Sequence, residues 1–574
     1  MQLTAIRSAL IVATSVFCSV ATQAASIAPV VAENAMVVTA QHLATRVGVD
    51  VLKKGGNAVD AAVAVGYALA VVYPAAGNLG GGGFMTVQLA DGRKGFLDFR
   101  EKAPLAATAT MYLDASGNVV KGLSTHGYLA VGVPGSVAGL ETARVKYGTL
   151  AREVLMAPAI ELAESGFVLD HADAEILQSA SAELRKDLPS AAIFLNEGQP
   201  FQSGQKLVQK DLARTLRLIS ERGADGFYKG TVGKALVAAS TAGKGIISQA
   251  DLDQYAVREM APIECDYRGY RIVSAPPPSS GGVVICEILN IVEGYPLKEL
   301  GFRSAQSVHY LIEAMRHAYL DRNSYLGDPD FVKNPLDRLL DKAYAAKIRE
   351  TINPARAGVS KDLKPGVAPH EGTNTTHYSI VDKDGNAVAV TYTLNDWFGA
   401  KVTAAGTGVL LNNEMDDFTV KVGVPNLYGL VQGEANAIAP GKRPLSSMSP
   451  TIVTYGGKPV MVVGTPGGSR IITTVLHTIL NVIDYGMNVQ EAVDAPRFHQ
   501  QWLPDLTYVD AFGLSPDTRK ILLDMGHNLG APPPGGHLAV ILVGAPSLQG
   551  KPQGNNRFYG ANDPRRNTGL ALGY

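Results

Sequence analysis

Cysteine and tryptophan are almost missing from this 574-residue chain, with three and two copies. The cysteines, at 18, 265 and 286, include no pair at metal-ligand or redox spacing, which excludes a cysteine-built metal centre. Cys265 and Cys286 are therefore expected as two buried thiols. Charge of one sign is also missing: 51 basic against 52 acidic residues give a net −1, which leaves no footprint for nucleic acid. No apolar run in the body of the chain is long enough to cross a membrane. Ala58 to Val72 is nearly all apolar, but it holds Asp60 and stops before Pro74, short of the roughly 20 residues a span requires. With Asn57 to cap it, this stretch reads as a buried helix. Internal repeats and coiled-coil heptads are absent too.

What is present begins with a leader pattern. Arg7 precedes the apolar run Ala9 to Phe17, and the small residues Thr22, Ala24 and Ala25 follow, so residues 1–25 are expected to be a secretory signal peptide. Bulky Phe17 argues against a lipid anchor on Cys18. The expected location is periplasmic or secreted. Beyond it, 36–40 reads as a strand and 41–53 as a helix with Leu43, Val47 and Val51 four apart, stopped at Gly55-Gly56. Gly80 to Gly83 lacks the Lys-Ser/Thr of a phosphate loop and implies instead a backbone that passes close to something. Helices are expected near 153–165 and 304–322. In the second, His309, Glu313 and His317 share one face, read as solvated or hydrogen-bonded rather than as a metal site. Residues 419–439, including Tyr428, form a long irregular segment of the kind that makes lids. A strand is expected at 538–543.

The seam at residue 375 organises the rest. Lys364 to Gly372 holds two prolines and two glycines and reads as an exposed linker. Ser379-Ile380-Val381, Asp384-Gly385-Asn386 and Ala387 to Thr393 then read as strand, tight turn and strand. Thr375 stands where this hairpin begins. A threonine hydroxyl needs a base, and cleavage between Asn374 and Thr375 would supply one as the residue's own α-amine, with a pKa of roughly 7.7 to 8.0. His377 is the rival base. It lies two residues along a strand, and about 3.3 Å of rise per residue separates the two side chains.

Several further motifs accompany this seam. They are Gly77-Asn78-Leu79-Gly80-Gly81-Gly82-Gly83-Phe84, Asp98-Phe99-Arg100-Glu101, Gly132-Val133-Pro134-Gly135-Ser136 and Pro276 to Gly282 before it. After it come Thr375-Thr376-His377-Tyr378-Ser379, Thr391-Tyr392-Thr393-Leu394-Asn395, Leu411 to Phe418, Arg443 to Pro450 and Gly464 to Arg470. In this order they strongly resemble the γ-glutamyltranspeptidases (glutathione hydrolases), of the N-terminal-nucleophile hydrolase superfamily, over nearly the whole chain after residue 26.

The resemblance implies a four-layer αββα sandwich of α/β (α+β) class, formed jointly by a large subunit, 26–374, and a small subunit, 375–574. It replaces the three or four domains that a prior of about 150 residues each would suggest. It implies self-cleavage between Asn374 and Thr375, after which Thr375 attacks the γ-amide of glutathione or a similar donor. The resulting γ-glutamyl ester passes to water or to an amine, amino-acid or peptide acceptor. No cofactor or metal is implied. Arg100, with Ser446 and Ser447, is expected at the donor carboxylate, and Asp417, Glu414 and Asn395 at its ammonium. Gly467 and Gly468 are expected at the oxyanion, and Thr393 beside the nucleophile. If the strand through Thr393 and Asn395 continues, Trp397 is next on its face and would wall the mouth where acceptor or water approaches. The competing readings are a glutaryl or cephalosporin acylase on the same scaffold and, from a different class, a processed but inactive secreted binding protein.

Overall fold

The computed structural model describes residues 26–363, 375–531, 536–548 and 557–574. The expected signal peptide, the linker at 364–372 and Asn374 lie outside the described residues.

Two seven-stranded sheets stack face to face. The first runs, in spatial order, Leu570–Gly573, Met36–Thr39, Thr376–Val381, Ala387–Thr393, Gly82–Gln88, Lys94–Phe99 and Arg258–Met260. The second runs Val30–Ala32, Phe558–Asn562, Ala539–Val543, Lys458–Gly464, Thr451–Tyr455, Tyr270–Ser274 and Ile263–Tyr267. Every neighbouring pair in both is antiparallel. Between the sheets lie side chains such as Val38, Val381, Ala389, Ile452, Val462 and Ile541, the alternate positions that strands turn to one face. Helices His42–Lys53 and Ala58–Val72 cover the outer face of the first sheet, and Gly281–Val292 and Arg470–Ile483 that of the second. The architecture is the expected αββα sandwich.

Strands from either side of residue 375 share both sheets. The hairpin of Thr376–Val381 and Ala387–Thr393 is wedged between Met36–Thr39 and Gly82–Gln88, so neither part of the chain has a complete core alone. The helix Ala58–Val72 is buried along its whole length. Asn57 caps it, its side-chain oxygen accepting from Val59 and Asp60 N–H at 2.9 Å each. Asp60 returns the bond to Asn57 N–H and accepts from Thr149, which explains one carboxylate in an otherwise apolar helix. Burying each Val or Leu of that helix contributes about 1.5–3 kcal/mol. Among the described residues no helix is long and apolar enough to cross a membrane.

One sequence expectation is corrected here. Cys265 and Cys286 are joined by a disulfide and are not two free thiols. Helix Gly281–Val292 packs on strand Ile263–Tyr267 and brings the two Cα atoms to 5.9 Å, within disulfide reach. A separation of 21 residues gives no hint of that contact.

Candidate active site

Thr375 immediately precedes the strand Thr376–Val381 and is 4% exposed. The hairpin register pairs Thr376 with Tyr392, so one step further along Thr375 faces Thr393. Their hydroxyl oxygens are 3.3 Å apart. Thr393 Oγ1 also accepts the Asn395 backbone N–H at 2.8 Å, which fixes its rotamer. The close fit here uses the glycine run: a Cβ on Gly81 would stand 1.9 Å from the Thr393 carbonyl oxygen. Asn78 donates to that same carbonyl.

His377 does not reach Thr375. Its Nδ1 is 2.8 Å from Thr391 Oγ1 and its Nε2 3.1 Å from Ser379 Oγ. Burial pushes its pKa down to about 3, so the ring is neutral and held by neighbouring hydroxyls.

From Thr375 a cavity, partly open to solvent, extends to a dense cluster of charge. Arg100, 1% exposed, follows strand Lys94–Phe99. Its Nη1 donates to Glu414, its Nη2 to Asp417 Oδ2 at 2.5 Å and its Nε to Pro444 O at 3.2 Å. Glu101 stands 3.8 Å from the same guanidinium. Glu414 and Asp417 come from one short 3₁₀ turn, Glu414–Asp417. Burial opposes the Arg100 charge, but Glu414, Asp417 and Glu101 outweigh it and keep the guanidinium protonated. Burial raises the carboxyls of Glu101 and Glu414, which sit in contact, so the pair favours holding a proton. Burial likewise pushes Asp416 up to about 7.

Ser446 and Ser447 line the cavity on a segment braced from the first part of the chain. Ser446 N–H donates to Pro278 O, and Ser446 O accepts from both the N–H and the hydroxyl of Ser280. Gly467 and Gly468 lead into helix Arg470–Ile483, with φ of 144° and 56°, values an L side chain rarely adopts. Gly468 borders the cavity. A Cβ there would stand 2.3 Å from the Tyr428 ring. Tyr428 belongs to the 419–439 segment, which folds over the charged end. Its hydroxyl donates to Asn395 O at 2.6 Å, and Leu427 N–H donates to Asp416 at 2.8 Å.

A family model described as Gamma-glutamyltranspeptidase matches residues 44–573. The chain belongs to that family. It is 75% identical over 552 residues to a glutathione hydrolase proenzyme of Pseudomonas sp. strain A14, covering 96% of each chain. It is 51% identical over 548 residues to the protein so named in Escherichia coli K12, covering 95% of this chain and 93% of that one. Among solved structures, a cephalosporin acylase from Bacillus halodurans superposes with a TM-score of 0.82 at 28% identity, covering 96% of this chain and 98% of that one.

Arg100, Thr375, Thr393, Asn395, Glu414, Asp417, Tyr428, Ser446, Ser447 and Gly468 all line one cavity; Gly467 is the adjoining residue. Sequence reasoning missed one further polar member of the lining, Arg322. It lies on helix Ala305–Tyr325 and is 1% exposed. It donates to Ser280 Oγ at 2.9 Å, Asn323 Oδ1 at 2.7 Å, Gln432 Oε1 at 3.1 Å and Ser447 Oγ at 3.1 Å. These four partners are all neutral. Burial pushes Arg322 down to about 10, which leaves it charged at neutral pH. Its only sequence signal is an arginine on an otherwise buried helix face.

One sequence reading changes. The strand ends at Thr393, and Asn395 and Phe398 take φ of 74° and 57°, so the alternation that would carry Trp397 to the cavity is broken. Trp397 is half-buried, outside the cavity lining, and stacks on Arg566 at 4.5 Å. Of the two expectations for the His309 face, solvated or hydrogen-bonded, the second holds: His309 is buried and hydrogen-bonded. His309 approaches Glu313 and His527, not His317. His309 Nδ1 lies 2.8 Å from His527 Nε2, and its Nε2 2.8 Å from Asn353 O. The first distance is a hydrogen bond, shorter than the roughly 3.3 Å between two ligands of a tetrahedral zinc with bonds of about 2.0–2.1 Å.

Proposed function

We propose that this protein is a self-processing γ-glutamyltransferase and glutathione hydrolase whose nucleophile is Thr375. One observation carries the reading: a single cavity joins the Thr375 hydroxyl to a buried arginine flanked by acids, the complement of an amino-acid head group. The proposed layout is a signal peptide at 1–25, a large subunit at 26–374 and a small subunit at 375–574, the last two forming a heterodimer. Export to the periplasm or medium agrees with the Cys265–Cys286 disulfide, since such bonds persist in oxidising compartments.

In the first stage Thr375 Oγ attacks the carbonyl carbon of Asn374. The N-to-O acyl shift gives an ester, and water releases a new N-terminal threonine. In the second stage the Thr375 amine takes the hydroxyl proton as Oγ attacks the γ-carbonyl of glutathione or a related donor. Backbone N–H groups at Gly467 and Gly468, ahead of helix Arg470–Ile483, oppose the developing oxyanion. The protonated amine returns its proton to the leaving nitrogen, leaving a γ-glutamyl ester on Thr375. Water hydrolyses the ester, or an amino acid, peptide or other amine takes the acyl group. Thr393, anchored by Asn395 N–H, holds the Thr375 hydroxyl in place.

Donor binding is an exchange of ion pairs. Without donor, Arg100 is neutralised by Glu414 and Asp417. The incoming α-carboxylate takes the guanidinium, helped by the hydroxyls of Ser446 and Ser447, while the α-ammonium takes the acids and Asn395. Arg100 and its acids are thus paired at both stages, which avoids the several kcal/mol that an unpaired buried ion costs. Arg322 N–H occupies a lone pair of Ser447 Oγ, so that hydroxyl is free to donate its hydrogen to the carboxylate.

The acylase reading shares the scaffold but has no need of acids for an ammonium. Release of a chromogenic amine from a γ-glutamyl anilide, against a glutaryl anilide that lacks the ammonium, separates the two. The γ-glutamyl substrate is expected to react faster by on the order of 10²-fold, the effect of leaving a buried charge unpaired. Equal or reversed rates would favour the acylase.

A further inference from the structure

A second pocket, partly open to solvent, lies in the outer helical layer between helices Ala305–Tyr325 and Arg470–Ile483. It shares no lining residue with the Thr375 cavity. Its apolar walls are formed by Phe302, Leu311, Leu480 and Phe498. Of its five polar lining residues, Ser307, Asn481 and Tyr485 have partners within the protein, whereas the polar atoms of Arg303 and His477 have none.

The guanidinium of Arg303 is unusual in three respects. Its Nε, Nη1 and Nη2 are all buried and have no hydrogen-bond partner, although the residue as a whole is half-buried because its stem reaches the surface. It stacks between aromatic faces, with Cζ 5.1 Å from the Phe302 centroid and 4.7 Å from that of Phe498. Those contacts hold the cation without using its N–H groups. Its backbone also takes φ 60°, a left-handed value that most non-glycine residues avoid, as strained residues at ligand sites do. The nearest acid offers no relief: Asp510 accepts from Arg497 N–H and pairs with Arg565. His477 is buried, both ring nitrogens are without a hydrogen-bond partner, and its ring tilts against Phe498 at 4.4 Å. Burial lowers Arg303 to about 10 and His477 well below its ordinary value, so at neutral pH one is a cation and the other a neutral ring able to donate once.

We propose that this cavity is a binding site for a small carboxylate with an apolar body, its carboxylate on Arg303 and His477 and its body against Leu311, Leu480 and Phe498. A planar carboxylate accepts two parallel N–H bonds from the guanidinium fork, and the imidazole N–H supplies a third. A bare inorganic anion would use the cation but leave the apolar walls idle. A neutral apolar molecule would leave five buried polar atoms unpaired, which is costly.

The test is calorimetric titration of the processed enzyme with phenylacetate, with phenylacetamide as the neutral counterpart, repeated under saturating L-glutamate to occupy the Thr375 cavity. Phenylacetate is expected to bind at one saturable site per heterodimer, unaffected by L-glutamate, and at least tenfold more tightly than the amide. Arg303→Gly, suited to φ 60°, and Arg303→Gln should both remain folded, retain activity on a γ-glutamyl anilide and bind phenylacetate at least tenfold more weakly. The proposal is overturned by absence of saturable binding, by equal affinity for acid and amide, by displacement with L-glutamate, or by undiminished affinity in the folded variants. Loss of anilide activity in the unmodified enzyme would instead count against the catalytic reading, which this proposal does not require.

Discussion

At one end the main cavity carries hydroxyls set by the central strands; at the other it carries ionised side chains set by loops. Thr375 and Thr393 are placed by the register of a hairpin, and the nearby imidazole of His377 is kept neutral by burial. Arg100, Glu414 and Asp417 come from segments more than 300 residues apart, and their positions depend on mutual attraction. On the proposed mechanism the threonine end therefore holds a weak nucleophile in place without adding charge that would compete with its own base. On the same proposal, the charged end recognises a zwitterion because its charges already cancel. Changes at the first end should abolish chemistry, and changes at the second should weaken binding.

The largest expected effect is at the threonine end. Thr375→Ala should leave one uncut chain and lower activity on a γ-glutamyl anilide by about 10³-fold or more, as read by denaturing electrophoresis and initial rates. A cut and active variant would move the nucleophile elsewhere. Next is Arg100→Lys, which keeps the charge but loses the fork. Losing one or two charge-assisted bonds of about 1.5–3 kcal/mol should raise donor KM roughly 10- to 100-fold while self-cleavage proceeds. An unchanged KM would remove Arg100 from donor binding.

Arg322→Gln should raise donor KM by about 5- to 10-fold, the effect of one such bond acting through Ser447. An α-carboxamide donor should lose much less, and an equal loss for both donors would reduce Arg322 to a packing role.

The smallest effect concerns pH. Asp416 has its folded pKa raised by burial from 3.8 to about 7. Between those values the native state keeps a proton that the unfolded chain releases, so this group's contribution to stability falls as pH rises through that window. Asp416→Asn removes the dependence. The variant should gain on the unmodified protein between about pH 4 and pH 7, by on the order of a few kcal/mol, then run parallel above. Thermal melts at pH 4, 6 and 8 check this, and a constant difference would contradict it.

The same contrast explains what could be read from the sequence. The hairpin, the Asn57-capped helix and Thr375 at its seam are local patterns of alternation, capping and turn chemistry, and the structure places the elements within three residues of expectation. The charged end was legible only through its motifs. Nothing local links Arg322 to Ser447, 125 residues away, or His309 to His527. Trp397 was misplaced because one residue of positive φ at Asn395 ends the strand alternation, and an asparagine there gives only weak warning. The Cys265–Cys286 bond was missed because helix-on-strand packing has no signature in cysteine spacing.

The account rests on Thr375 becoming a chain terminus, and Edman sequencing of the smaller chain of the purified enzyme tests that directly. The account predicts Thr-Thr-His-Tyr-Ser, beginning at Thr375, with a stoichiometric larger chain. Any other first residue in an active preparation, or full activity in an uncut chain, would contradict it.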